Sequence, residues 1–385
     1  MKKVILAPDS FKGTMSSYQI CTIMEGGIGR YYPSCKVIKI PMADGGEGTV
    51  DCFLTACGGT CRTISAKGPY GQPIKAEYGI LDDGETAVVE MAAAAGLPMV
   101  GSQKNPATTT TFGVGQLIAD AALQKVSHII IGLGGSCTND AGCGAAAACG
   151  VKFLDANGDE FVPVGQTLDR IAKIDTSQIM PGLKSIRLTV MCDIDNPIYG
   201  STGAAYVFAP QKGADNNMVK LLDDNLIYFA NMVKNQLGID ISSIKSGGAA
   251  GGMGAGLYAL LSARLKSGID TMLSVTNFDD HLAGCDMVFT GEGRIDGQSV
   301  RGKVISGIAA RAKKFNVPVC AVVGDIESDM GAIYDQGVTS VFSINQKAIP
   351  FELAKLRSET DLADTFDNIL RFSRSAISIN QNNSF

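Results

Sequence analysis

Apolar runs that stop at glycine-rich acidic turns recur along this chain, and they restrict its fold more than any other feature. VIKIP leads into MADGGEGTVD at residues 42–51, and CDMVF leads into TGEGRIDGQSVRGK at residues 290–303. Both turns contain Gly-Glu-Gly-x-x-Asp, at Gly46 to Asp51 and at Gly291 to Asp296. A short apolar run bounded by such a turn reads as a buried strand. Helical segments lie between the strands: SSYQICTIMEGGIGRYY follows KKVILAP, and VISGIAARAKKF separates CDMVFT from VPVCAVVGD. The strand TSVFSI and a polar amphipathic helix close the chain. This alternation predicts an α/β fold: a doubly wound, Rossmann-like parallel sheet with helices on both faces.

The middle of the chain has another rhythm. KAEYGILDDGETAVVEM reads as an antiparallel hairpin around Asp82-Asp83-Gly84. A helix near GVGQLIADAALQK, the strand HIIIGLGG and the Ala-rich CGAAAACG follow. At 385 residues the chain is too long for one ordinary core. The expected organisation is a discontinuous outer domain, residues 1–61 and 278–385, with a mixed α/β domain, residues 62–277, inserted into it. Open parallel sheets bind ligands beyond the carboxyl ends of their strands, and small-molecule sites favour domain interfaces. The active site is therefore expected in the cleft between the two domains, where APDSFKG, MADGGEG and FTGEGRID would open.

Composition narrows the function. A net charge of −5 argues against nucleic-acid and membrane-surface partners. No apolar run approaches the roughly 20 residues of a spanning helix. The opening MKKVILAPDS imitates a signal sequence, but Pro8 and Asp9 cut its apolar run short, so the expected location is cytoplasmic. Eleven scattered cysteines suit a reducing compartment, and Cys57 and Cys61 lack the partners of a zinc site. Only two histidines occur, His128 and His281, and both read as structural. Proton chemistry then falls to carboxylates or lysine.

Two more glycine clusters suit an anion. LGGSCTNDAG, residues 133–142, leads from a strand towards a helix, with Gly134 and Gly135 offering backbone N–H groups and Ser136, Thr138, Asn139 and Asp140 as N-caps. SGGAAGGMGAG, residues 246–256, includes Gly251 and Gly252 and opens the helix LYALLSARLK. The stretch Gly297 to Lys303 has Walker A spacing, but Val304 stands where Ser or Thr is required. No Gly-x-Gly-x-x-Gly leads from a strand into a helix. VMCDIDNP, residues 190–197, has the strand-then-Asp-x-Asp shape of aspartyl-phosphate phosphatases, although Asn196-Pro197 fits poorly after it.

Taken together, APDSFKGTMS, MADGGEGT, GLGGSCTNDAGCG, CDIDNPIYGSTGAAYVFAPQKGA, GGAAGGMGAG and TGEGRIDGQSVRGK resemble bacterial glycerate kinase, of the family that includes 2-phosphoglycerate-forming enzymes. The blocks span nearly the whole chain. Cys137 and Cys143 are small departures that touch no charged group. The resemblance implies transfer of the ATP γ-phosphoryl group to D-glycerate with Mg²⁺, and a two-domain fold with one domain inserted in the other. It leans towards the 2-hydroxyl over the 3-hydroxyl.

Individual roles follow from the chemistry of phosphoryl transfer, which needs cations at the phosphates, carboxylates at the metal and a proton acceptor. Asp296 is the first choice for the base and Asp193 the second, with Lys12 a charge clamp. Arg294, Arg301 and Lys303 are expected at phosphate or carboxylate, and Ser136 and Asn196 as hydrogen-bonding partners of the substrate. Asp44, Glu47 and Glu292 are expected at the metal. Gly134, Gly135, Gly251, Gly252, Gly291 and Gly293 are expected to approach the nucleotide. Two other readings stay open: a phosphatase with a covalent phosphate on Asp193, and a non-catalytic sugar-acid-binding protein. The expected partners are D-glycerate and ATP, and the oligomeric state is not legible.

Overall fold

The computed structural model of the chain describes residues 1–295, 304–327 and 330–382. It forms two compact units, Met1–Ala43 with Ile269–Phe385, and Asp44–Gly268. Along the chain, the outer unit starts with β1 (Lys3–Pro8), α1 (Ser17–Tyr31) and β2 (Lys36–Lys39). The inserted unit holds α2 (Thr49–Cys57), β3 (Gly59–Lys67), β4 (Pro73–Leu81), β5 (Thr86–Glu90) and α3 (Phe112–Leu123). It continues with β6 (His128–Gly132), β7 (Arg187–Met191), α4 (Asn216–Leu237), α5 (Ala249–Leu261) and β8 (Arg264–Lys266). The chain then returns to the outer unit with β9 (Met287–Gly291), α6 (Val304–Lys314), β10 (Val319–Val323), β11 (Ser340–Ser343) and α7 (Ser358–Asn382).

The outer sheet is parallel throughout, in the order β2-β1-β9-β10-β11. The doubly wound expectation is met. Helix α1 starts at a capping box: Ser16 Oγ accepts from Gln19 N at 3.2 Å, and the Gln19 side chain accepts from Ser16 N at 2.8 Å. Its buried face carries Ile20, Cys21, Met24 and Ile28. Phe289 of β9 meets Phe366 of α7 edge-on, with ring centroids 4.9 Å apart. These residues, with Val4, Leu6 and Val322, make one core.

The inserted unit has a mixed sheet in the order β8-β7-β6-β5-β4-β3. Its β5, β6, β7 and β8 run parallel, while β3, β4 and β5 form antiparallel pairs. The hairpin read around Asp83 and Gly84 is therefore present. The joins fall at 43/44 and 268/269, where sequence reasoning places them at 61/62 and 277/278. The reason lies in packing. Helix α2 lies on β4 and β5, with Val50 and Leu54 against Gly79. At the other join, Ile269 packs against Gly307 of α6.

His128 opens β6 and is buried. Its Nδ1 lies 3.0 Å from the Arg187 guanidinium, which can only donate, so Nδ1 accepts. Nε2 therefore carries the proton and donates to Thr189 Oγ1 at 2.9 Å. The ring ties β6 to β7 at their amino ends, away from the glycine turns. Burial first, then the Arg187 and Lys266 charges, push its pKa down to about 4 against a weaker pull from Asp83.

A depressed imidazole pKa means that the unfolded chain takes up a proton near pH 6.5 while the folded chain does not. Stability from this residue is full above that pH and is lost as pH falls towards 4, by an amount on the order of 1–3 kcal/mol. NMR titration of the ring should give a midpoint more than one unit below 6.5, and His128→Gln should flatten the acid limb of urea unfolding. A ring titrating above pH 6 contradicts this account.

Candidate active site

In the outer sheet the chain runs from β1 to β2 on one side, and from β9 to β10 on the other. The connection reverses between neighbouring β1 and β9, which is where open α/β sheets hold ligands. Pro8 stands opposite Gly291, and Asp9 N donates to Gly291 O at 2.8 Å. The two turns leave the sheet together: a Cβ on Gly293 would lie 3.4 Å from both Lys12 N and Phe11 Cα. Five residues singled out from the sequence, Lys12, Gly291, Glu292, Gly293 and Arg294, thus gather at one switch point beside Asp9. Lys12 is exposed and Glu292 buried. Arg294 pairs with Glu327 at 2.6 Å, both side chains being about half exposed. An exposed pair of this kind is weak, so the guanidinium can exchange Glu327 for a phosphate at small cost. Asp296, Arg301 and Lys303 lie outside the described residues.

The inserted unit has a corner of its own at the carboxyl ends of β6 and β7. Gly134 N donates to Gly45 O at 2.8 Å, and a Cβ on Gly134 would stand 2.4 Å from Gly46 Cα. Backbone touches backbone here, so a side chain at position 134 has no space. Asp44 Oδ1 accepts from Gly46 N at 3.0 Å, and Asp193 Oδ1 from Gly268 N at 2.8 Å. A Cβ on Gly268 would meet Asp193 Oδ2 at 2.6 Å and Asp44 O at 3.3 Å. Asp44 and Asp193, over a hundred positions apart in sequence, therefore occupy one corner. Asp193 is exposed, and Glu47 is exposed on the adjoining turn.

Glu90, which sequence reasoning did not single out, ends β5 and accepts from Val50 N at 2.6 Å. Gly48 N also donates to it, and burial raises its pKa. A carboxylate at the amino end of α2 suits the helix dipole and anchors the acidic turn.

Residues 136–140 are buried as a block. The Asp140 carboxylate accepts from Thr111 N at 2.7 Å, Thr111 Oγ1 at 2.8 Å, Gly142 N at 3.1 Å and Gly144 N at 3.3 Å. Only the short helix Cys143–Ala148 follows, and none of Ser136, Thr138 and Asn139 serves as its N-cap, which is Gly142. The second cluster differs from expectation too. Helix α5 has left-handed backbone at Ala250, Gly251 and Gly252, all buried. A Cβ on Gly251 would lie 2.1 Å from Thr138 O, so packing against the 133–142 loop accounts for this glycine. Asn196 closes its own loop: Nδ2 donates to Thr202 O at 2.8 Å, and its carbonyl accepts from Gly248 N at 3.0 Å.

A second missed residue is Lys212, at the end of the turn Pro210–Lys212. It is 2% exposed, and its Nζ donates to Ser136 Oγ at 2.8 Å and Thr138 O at 2.7 Å. Burial pushes its pKa down to about 8. Nothing in APQKGA marks this lysine, since burial of a lone Lys has no sequence signature.

No group of three or more His, Cys, Asp or Glu among the described residues forms a ready-made metal cage. Mg²⁺ needs less, because it commonly binds one or two carboxylates and completes its shell with substrate phosphates and water. The acidic turn with Asp44 and the exposed Glu47 offers that number of carboxylates.

A family model described as the glycerate kinase family matches residues 4–374. A glycerate kinase of Bacillus cereus is 44% identical over 368 residues, covering 95% of this chain and 97% of the relative. A glycerate 2-kinase of Escherichia coli is 41% identical over 373 residues, covering 97% and 96%. A crystal structure of a protein assigned as glycerate kinase 2 from Salmonella typhimurium superposes with a TM-score of 0.87 at 38% identity, covering 98% of this chain and 99% of that one.

The Asp140 node generates a direct test. Asp140→Asn keeps the volume but turns an acceptor towards donors, leaving buried N–H groups facing an NH₂. The loss should be about 2–4 kcal/mol, read by calorimetry or urea unfolding. Near wild-type stability would show that the loop is held by glycine packing alone.

Proposed function

The chain belongs to the glycerate kinase family, and we propose that it transfers the γ-phosphoryl group of ATP to the 2-hydroxyl of D-glycerate, giving 2-phosphoglycerate and ADP. The 2-position is favoured by the relative named glycerate 2-kinase. Family membership favours ATP as the donor over the aspartyl-phosphate phosphatase and the non-catalytic binder. The observation that carries the reading is that the Asp193 carboxylate and the backbone of Asp44 meet at Gly268, with each aspartate's carboxylate steadied by a backbone N–H.

In this reading the chain supplies positioning and charge. The exposed Asp193 carboxylate, aimed by Gly268 N, accepts the proton of the attacking hydroxyl; Asp296 is the other group proposed for that role. Asp44 and Glu47 hold Mg²⁺ in the inserted unit, and Glu292 is the corresponding acid of the outer unit. The metal, when bound, neutralises charge on the phosphate oxygens. At the switch point Lys12 and Arg294 take phosphate or carboxylate oxygens, as planar guanidinium forks and point-charge ammonium groups do, and Arg301 and Lys303 are proposed for the same role. Gly293 allows backbone to approach the nucleotide, whereas Gly291 is accounted for by packing against Val322 O. Among the described residues no helix is long and apolar enough to cross a membrane.

A coupled assay for ADP release with D-glycerate tests the reading. Turnover should need Mg²⁺ and collapse with EDTA; phosphate release from a phosphorylated acid without ATP would instead support the phosphatase.

The base is tested by charge removal at constant volume. Asp193→Asn or Asp296→Asn, whichever carries the role, should lower kcat by roughly 10²–10⁴-fold with little change in glycerate KM. The other variant should stay within about tenfold, and rescue of either by added Mg²⁺ would assign that residue to the metal. Two near wild-type variants would place the proton acceptor elsewhere.

A further inference from the structure

Lys212 is a buried cation with no anion of its own. Its ammonium has three donors, and the described bonds use two of them, both to neutral oxygens. The acid that bears on it is Asp140, whose carboxylate is already occupied by Thr111, Gly142 and Gly144. No ion pair within 4.0 Å joins Lys212 to a carboxylate among the described residues. Fully buried lysines are rare unless paired.

The same loop holds further unused hydrogen-bonding groups. Asn139 is 0% exposed, and neither Oδ1 nor Nδ2 has a partner; Thr138 Oγ1 has none either. Ser136 Oγ accepts from Lys212, which leaves its hydroxyl hydrogen to donate. Buried polar groups left unmatched are exceptional and call for an explanation. Next to them Gly135 is exposed, so the loop reaches solvent one residue from Ser136. A purely structural tie to the Thr138 carbonyl would need only a neutral donor, whereas this arrangement carries a full charge.

We infer that Lys212, Ser136, Thr138 and Asn139 form a subsite for an oxyanion group of a small ligand, a carboxylate or a phosphate. The inference rests on the glycerate kinase reading, which supplies both: the acceptor's carboxylate and the nucleotide's phosphates. Protonation gives it a signature. Burial lowers the Lys212 pKa to about 8, opposed by the Asp140 charge. The Cys137 thiol, raised to about 12 by burial, stays neutral below pH 10. Oxyanion affinity at this subsite therefore falls as pH rises through 8, where the ammonium is lost.

The experiment is calorimetric titration of the full-length protein with D-glycerate and, separately, with Mg·ATP. Wild type is compared with Lys212→Met and Ser136→Ala, each checked for a native thermal transition. Lys212→Met should weaken one ligand by roughly 10–100-fold, the usual worth of a charged hydrogen bond, and leave the other within about twofold. Selective loss of glycerate identifies the group as a carboxylate, and selective loss of Mg·ATP as a phosphate. Unchanged affinity for both in a folded variant overturns the subsite, as does equal weakening of both with a lowered Tm. If Lys212→Met does not fold, wild type decides: the affected ligand should bind roughly tenfold more weakly at pH 9 than at pH 7, and pH-independent binding overturns the inference. If wild type makes no ADP from D-glycerate, the functional reading fails on its own. Inorganic phosphate titrated into wild type and Ser136→Ala then tests the subsite, which is overturned if the two bind alike.

Discussion

Backbone in direct contact with backbone holds the inserted unit together. A Cβ at Gly134 would stand 2.4 Å from Gly46 Cα, one at Gly251 2.1 Å from Thr138 O, and one at Gly256 1.7 Å from Ala141 O. Each contact joins segments distant in sequence, and each exists because one partner has no side chain. The acidic turn after residue 43, the 133–142 loop and the 246–256 segment are fastened by these contacts. Their carboxylates and hydroxyls are positioned as a consequence.

Charge is then distributed in two ways. The carboxylates of Asp44, Glu90, Asp140 and Asp193 each accept at least one backbone N–H, which helps fix their direction. Hydrogen bonds of this kind stabilise the ionised form, while burial at Glu90 and Asp140 opposes it and raises the pKa. Lys212 is the converse, an ammonium held by neutral oxygens. Backbone-anchored acids and a buried ammonium held by neutral oxygens thus lie in the same unit.

The outer unit solves a similar problem by topology. Reversal of the connections beside β1 and β9 places the switch point of the sheet at Pro8 and Gly291, where open α/β sheets bind ligands. The turns that leave the two strands share a hydrogen bond from Asp9 N to Gly291 O, so Lys12 and Glu292 come to the same edge.

The apolar runs, their β-branched content and the turn residues that end them were enough to read the outer sheet, the hairpin of β4 and β5, the strand β6 and the inserted order of the units. Those are local properties, set by side-chain period and by what a turn tolerates. Strand β3 was not read, and Arg264–Lys266, read as part of the helix LYALLSARLK, form β8 because the helix ends at Leu261. Packing decided what the sequence left open. Helix α2 went to the inserted unit because Val50 and Leu54 find Gly79 there, and amphipathicity specifies a face but not its partner. Glycines read as nucleotide-facing, Gly251 and Gly252, were buried, since the same absence of a side chain serves a phosphate and a neighbouring backbone equally. Glu90 and Lys212 were invisible, one a strand-end acid and the other a lysine in a turn. Their significance lies in burial and in partners some 40 and 76 positions away, and only the folded chain brings those together.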